Sequence, residues 1–342
     1  MDFDFSFEQR QIAGSVARML DSFPVITDHP PHPYPAESLV RAAAETGVFA
    51  TDGDAFLLGH VDAVAVAIEV GRRLPAAPLV EMLAAGLGLS GSSAPVEAAL
   101  ADGGVLGVAV DGQLALENGA ASGRVLVPFA AEAATILAPC ATADGRRWIT
   151  VETGNAELAP AAVLDIATDA RWVSVTGAAA DPGNAPAPGT FEDALAVLVL
   201  AEMTGSAAAC LEQTVAYVGD RTQFGRPVGA NQAVKHIAAD AAVALEGMKA
   251  AVEYAAWCLD QGDLDSRGDA RRALLTARAF VGDHARRIAE ACVQMHGGIA
   301  FTWDHGVHRY LKRIAYRRST IARPRQGRAG LADILLDGIE TC

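Results

Sequence analysis

The sequence predicts a mainly α-helical protein with a small β domain in the middle of the chain. Three observations predict it. Apolar residues recur at helical spacing through the first hundred residues and again from Phe191 onward. Between them, from Gly103 to about Thr176, short apolar runs are separated by Gly, Asp and Pro turns. The composition is 51% hydrophobic but only 6% aromatic, and alanine is abundant, which suits helices packed closely through small residues. A chain of 342 residues is long enough for two or three domains. The expected divisions are 1–102 (helical), 103–180 (β) and 181–342 (helical bundle).

In chain order, Ser6 and Gln9 form a capping-box pattern ahead of Ile12, Val16, Met19 and Phe23, so a helix starts there. Asp28 to Pro35 is rich in Pro and His and predicts a loop. Helices are expected over Glu37–Thr46, over Val61–Leu74 with a stop at Pro75, and over Leu79–Leu89. The runs Val105–Val110, Arg124–Val127, Thr135–Leu137 and Trp148–Val151 predict a small antiparallel sheet or barrel. Asp181–Thr190 holds three prolines among Gly, Asn and Asp and predicts a linker. Ala194–Val218, Ala230–Gln261 and Arg267–His296 are long segments with few breakers, which suits an antiparallel bundle.

The net charge of −14 argues against general nucleic-acid binding. The acidic start, Met1-Asp2-Phe3-Asp4, is unlike a secretory leader. No charge-free apolar run approaches the ~20 residues that span a bilayer. Cys140, Cys210, Cys258, Cys292 and Cys342 are scattered and form no CxxC pair, which predicts reduced thiols and a cytoplasmic setting. His29, His32, His305 and His308 lack metal-ligand spacing.

Two segments carry chemistry. In Tyr217-Val218-Gly219-Asp220-Arg221-Thr222-Gln223-Phe224-Gly225-Arg226-Pro227-Val228, Arg221 offers a planar fork of donors suited to a pyrophosphate, and Phe224 offers a ring for a base to pack on. Gly225 and Pro227 make a turn between helices, and Asn231, Gln232, Lys235 and His236 follow it. In Gln294-Met295-His296-Gly297-Gly298, paired glycines let backbone approach a ligand closely and expose N–H groups, although Gly297 equally suits a helix C-cap. From His305 to Ala332 there is no acid but eight bases: Arg309, Lys312, Arg313, Arg317, Arg318, Arg323, Arg325 and Arg328. That predicts a positive face, either in contact with phosphate or a partner, or simply solvated.

These segments resemble two signatures of the acyl-CoA dehydrogenase family of flavoproteins. The turn between helices at Gly71-Arg72…Pro75…Pro78 is similar as well. The likeness is good over 191–315 and looser over 1–100. It implies the family's fold: an N-terminal helical domain, a middle β-barrel and a C-terminal four-helix bundle. It also implies FAD, with Arg221, Gln223, Phe224, Val228, Asn231, Gln232, Gln294, Met295, Gly297 and Gly298 as cofactor contacts, and a structural or ADP-side place for His296.

The chain departs from the family in two places. The segment matching the family's flavin-ring and acyl-CoA contacts is Gly107-Val108-Ala109-Val110-Asp111-Gly112, without the family's sequence. The two family positions for the catalytic carboxylate fall on Ile321 and Leu195, with Glu192 and Asp193 nearby but out of register and Glu202 further along the helix. The resemblance therefore implies a non-catalytic subunit of an α2β2 acyl-CoA dehydrogenase like those of actinobacterial steroid side-chain degradation. Such a subunit lends FAD contacts to a catalytic partner that binds the acyl-CoA, and an electron-transfer acceptor reoxidises the complex. Two alternatives stay open: a self-sufficient homotetramer using Asp193, Glu192 or Glu202 as base, and a non-enzymatic scaffold.

Overall fold

The computed structural model describes residues 4–23, 35–53, 55–143, 145–179, 189–261, 267–303 and 305–337. Five helices come first: α1 (Phe7–Asp21), α2 (Ala36–Glu45), α3 (His60–Arg73), α4 (Leu79–Leu89) and α5 (Ala94–Asp102). A two-residue hairpin, β1 (Thr51–Asp52) with β2 (Ala55–Phe56), lies between α2 and α3. The Ser6 cap is built as expected: Gln9 N–H donates to Ser6 Oγ at 3.2 Å, and Ser6 N–H donates to Gln9 Oε1 at 2.8 Å. The expected loop over Asp28–Pro35 and linker over Asp181–Thr190 lie outside the described residues, apart from Pro35, Gly189 and Thr190, which begin helices.

The sheet comprises β3 (Leu106–Val108), β4 (Asp111–Glu117), β5 (Ala120–Pro128), β6 (Thr135–Thr142), β7 (Gly145–Glu152), β8 (Ala156–Ala161) and β9 (Ala170–Ala179). The strand order is β3-β6-β4-β5-β9-β8, with β7 also paired to β6. The sheet is mixed, because β3 and β4 both run parallel to β6. That corrects the all-antiparallel expectation. Its own core gathers inward residues such as Leu114, Val125, Ile136, Ile149 and Val173.

The C-terminal helices are α6 (Thr190–Asp220), α7 (Gln232–Asp260), α8 (Arg267–His296), α9 (Val307–Arg317) and α10 (Pro324–Asp337). Between α6 and α7 runs a tight hairpin of β10 (Thr222–Gln223) and β11 (Arg226–Pro227). Helix α6 is apolar and long enough to cross a membrane by composition alone, but its apolar window is wholly buried in this fold. It packs on α3, α4, α7, α8 and α9, so it is a core helix. Helices α3 and α6 cross backbone to backbone. A Cβ on Gly71 would sit 1.9 Å from Glu202 O, and one on Gly205 would sit 1.9 Å from Ile68 O. Ser206 Oγ closes the crossing by donating to Gly71 O at 2.9 Å. The sequence turn at Gly71 is thus a packing device. Cys140, Cys210, Cys258 and Cys292 are free and buried.

Candidate functional site

Helix α6 leads straight into the first signature. Arg221 caps the helix, and its N–H donates to Tyr217 O at 2.9 Å. The backbone then reverses through Phe224 (φ 52°) and Gly225 (φ 77°). Two positive φ values in a row are what a two-residue hairpin turn demands, and glycine meets that freely whereas phenylalanine is strained there. Phe224 is nevertheless completely exposed, at 102%. Val228 N–H donates to Arg221 O at 2.8 Å, which closes the loop, and the Val228 side chain packs on the core. Asn231 ties the following turn: its Nδ2 donates to Val228 O at 3.0 Å, and its Oδ1 accepts from Arg226 Nη2 at 2.6 Å. Arg221, Gln223 and Gln232 are exposed.

The second signature ends α8. Gln294 is exposed, Met295 and His296 are buried, and Gly297 turns left-handed at φ 68°. A Cβ on Gly297 or Gly298 would meet nothing within 4 Å, so this backbone borders open space.

The structure joins the two signatures through aromatic rings. Tyr217 stacks on His296 with centroids 4.4 Å apart and planes 14° apart. His305 meets both rings edge-on, 5.4 Å from Tyr217 and 4.4 Å from His296. The Arg221 guanidinium lies 5.5 Å from the Tyr217 ring centroid and donates to the Tyr217 hydroxyl. His296 Nδ1 lies 2.9 Å from Cys292 O, while Nε2 is buried without a hydrogen-bond partner. Nδ1–H can donate to that carbonyl, and burial pushes the ring's pKa below the ordinary value, which favours its neutral form. Among the described residues no carboxylate partners it, so its role is to orient the stack.

A second feature is a cavity of about 430 Å³ where β4, β6, β7, α6, α8 and α10 meet the turn after α9. Ala109–Gln113, Trp148, Leu195 and Ile321 line it, together with Glu192, Arg146, Arg278 and Arg323. Leu195 and Ile321, distant in sequence, thus face one cavity, and so does the 109–112 segment. Ile321 belongs to a π-helical turn, Arg318–Ala322, ended by Arg323 at φ 40°.

The three candidate acids go to different places. Glu192 lines the cavity. Asp193 is half-buried, and burial raises its pKa against the opposing pull of Arg278. Glu202 is fully buried elsewhere: Arg313 Nη1 donates to its Oε1 at 2.6 Å, and Arg317 Nε lies 2.7 Å from its Oε2 as an ion pair without hydrogen-bond alignment. Arg313 also pairs with Asp165, and Arg317 with Glu81 at 2.5 Å. These five side chains form a closed, buried ion network that the sequence reading missed.

This network also corrects the expected positive face. Besides Arg313 and Arg317, Arg318 and Arg328 both pair with Asp283, Arg323 pairs with Asp111 at 3.3 Å, and Lys312 sits 4.6 Å from the Trp303 ring centroid. The segment lacks acids because its partners come from other elements.

The family model for the acyl-CoA dehydrogenase C-terminal domain matches residues 193–320. Over 267 residues the chain is 32% identical to the acyl-CoA dehydrogenase IpdE2 of Mycolicibacterium smegmatis, covering 78% of this chain and 76% of that protein. The fold is similar to a chain of the ChsE4-ChsE5 complex from Mycobacterium tuberculosis, with a TM-score of 0.81 at 22% identity, covering 96% of this chain and 98% of that one. It is also similar to the Tcur3481-Tcur3483 steroid ACAD G363A variant, with a TM-score of 0.80 at 21% identity, covering 97% and 99%. At those identities the structural likeness is one of fold.

Proposed function

The chain belongs to the acyl-CoA dehydrogenase family, and from that premise we propose that it is a subunit of an FAD-dependent, heteromeric α2β2 acyl-CoA dehydrogenase whose base and flavin-ring contacts come from a catalytic partner. The observation that carries this reading is the outward orientation of the cofactor signature. Arg221, Gln223 and the fully exposed Phe224 face solvent, the Gly297–Gly298 backbone borders open space, and the Tyr217–His296 stack links the two segments.

That arrangement fits the ADP half of FAD. Arg221, already oriented by Tyr217, holds a pyrophosphate through its guanidinium fork. Phe224 covers an adenine face, and the Gly297–Gly298 backbone admits close approach. Exposed Gln223, Gln232 and Gln294 extend the rim, half-buried Val228 and Asn231 hold its turn, and buried Met295 supports it from the core side. When bound, FAD supplies the hydride acceptor for α,β-dehydrogenation of an acyl-CoA thioester. In this assignment the chain binds and orients, the partner holds the acyl-CoA and removes the α-proton, and an external electron acceptor completes turnover. Leu195 and Ile321 in the cavity support the division of labour, because neither can take a proton. The likeness to IpdE2 and to a steroid ACAD supports a setting in steroid or lipid degradation.

A second reading, a self-sufficient enzyme, is favoured by Glu192, since that acid lines the cavity. The test is turnover of a matched acyl-CoA by the assembled complex carrying Glu192→Gln or Asp193→Asn. We expect near-intact rates. A fall of about 10²–10⁴ in either variant, with flavin content and assembly unchanged, returns the base to this chain.

A further inference from the structure

We infer that Cys210 and Cys292 are a redox modification site, a dithiol pair that a hydroperoxide oxidises to a disulfide joining α6 to α8. The two helices pack along each other, and rungs of side chains cross between them. In one rung, Thr214 Oγ1 lies 3.5 Å from His296 Nδ1. Each of those residues also reaches back one turn on its own helix. Thr214 Oγ1 donates to Cys210 O at 2.7 Å, and His296 Nδ1 lies 2.9 Å from Cys292 O. Residues four apart share a helix face, so the preceding rung sets Cys210 opposite Cys292. There the Cys210 thiol is hydrogen-bonded to Cys292. Both side chains are fully buried. Neither takes part in the contacts assigned to the cofactor.

The pair is unequal. Its hydrogen bond with Cys210 holds the Cys292 thiol below the ordinary range, burial opposes that, and Thr214 adds to it. The same hydrogen bond, together with burial, pushes the Cys210 thiol well above that range. Cys292 is therefore the nucleophile and Cys210 the resolving thiol. The Cys292 thiolate attacks one oxygen of hydrogen peroxide, the O–O bond breaks, and the departing hydroxide leaves as water with the proton that Cys292 released. The Cys210 sulfur then attacks the sulfenic sulfur of Cys292. The S–S bond forms, the S–O bond breaks, and the hydroxide leaves as a second water with the Cys210 proton. The two thiols lose two electrons, and the peroxide gains them. Cys292 lies one turn from the end of α8, where the Gly297–Gly298 backbone borders open space. Local opening of that last turn admits an oxidant as small as peroxide. A covalent S–S bond draws the sulfurs closer than a hydrogen bond does. His296 Nδ1 rests on the Cys292 carbonyl, so the link shifts the Tyr217–His296 stack one turn above it.

The test treats the reduced full-length chain with hydrogen peroxide, alkylates the remaining thiols and maps the cysteines by peptide mass spectrometry. Cys140 in the core of the sheet and Cys258 on α7 are the internal controls. A peptide linking Cys210 to Cys292 should dominate, Cys140 and Cys258 should stay free, and dithiothreitol should restore both thiols of the pair. Cys210→Ser should leave Cys292 as a sulfenic acid that dimedone traps. Cys292→Ser should slow oxidation of Cys210 at least tenfold. In nuclear magnetic resonance the His296 ring signals should shift on oxidation and return on reduction. None of these readouts needs flavin, so they stand apart from the cofactor assignment. Free thiols at both positions after peroxide, a link formed only in denaturant, pairing of either cysteine with Cys140 or Cys258, equal oxidation of Cys210 in Cys292→Ser, or unmoved His296 signals would each overturn the proposal. Mapping of the unsubstituted chain decides the matter if a serine variant does not fold.

Discussion

Two regions of this molecule spend arginine in opposite ways. In the seam between α4, α6 and α9, Arg313 and Arg317 are buried, and Glu202, Glu81 and Asp165 meet them within the same chain. At the hairpin after α6, Arg221 is exposed and donates to the Tyr217 hydroxyl, and Phe224 of the same hairpin is wholly exposed. The seam is complete in one chain. The hairpin leaves its arginine and its aromatic ring exposed. The contrast teaches that charge alone does not mark a site, because the more arginine-dense region is the structural one.

The largest expected effect breaks the seam. Glu202→Gln leaves two buried guanidinium groups short of a carboxylate, and removing one member of such a network costs about 3–5 kcal/mol. Chemical denaturation of the variant measures it. If Glu202 were instead a base, stability would hold and turnover would fall.

Next comes the hairpin. Arg221→Ala should cost about 2–5 kcal/mol of FAD affinity in the assembled complex, as loss of a desolvated charge pair does. Arg221→Lys should also weaken binding, because a point charge cannot replace the fork. The stability of the chain alone should move by no more than about 0.5 kcal/mol. Unchanged flavin content in both variants would make Arg221 an ordinary turn residue.

Glu253 on α7 offers a titration that sharpens the contrast. Burial raises its pKa to about 7, with Asp4 and Glu246 adding to the rise and Lys249 opposing it. The folded state therefore binds a proton more tightly than the unfolded chain, whose carboxyl keeps the ordinary value of about 4.5. Stability is unaffected below that unfolded value and falls as pH rises toward 7, after which the penalty is complete. Because the group is only half-buried, about 1–2 kcal/mol is expected. Glu253→Gln should raise the thermal midpoint at pH 8 and leave it unchanged at pH 4. Equal shifts at both pH values would contradict the assignment.

The smallest effect separates stability from function at one residue. Phe224→Gly relieves a left-handed backbone, worth about 1 kcal/mol, and should stabilise the chain alone. In the complex it should lower flavin retention. A variant that loses stability alone would show that Phe224 packs within its own chain.

The long helices were legible because their apolar spacing is sustained and their ends carry signals. The extents of α4 and α8 match the sequence expectation, and Ser6 caps α1 as its pattern predicts. Strand β4 escaped notice because Leu114 is its only buried residue, and β8 because none of its residues is buried. Parallel pairing to β6 is set by chain topology and leaves no local trace. The hairpin and the Gly297–Gly298 turn were visible as motifs, but their meeting through Tyr217 and His296 was not. The ion network was invisible for the same reason: Arg317 and Glu81 lie 236 positions apart, and Arg313 and Asp165 lie 148 apart.

The central claim is that this chain holds only part of a flavin site. The direct test purifies the chain alone, and again after co-expression with a catalytic acyl-CoA dehydrogenase subunit, and reads flavin absorbance and acyl-CoA turnover in both. The account predicts a colourless, inactive chain alone and a yellow, active complex. A yellow, active preparation of the chain by itself would contradict it.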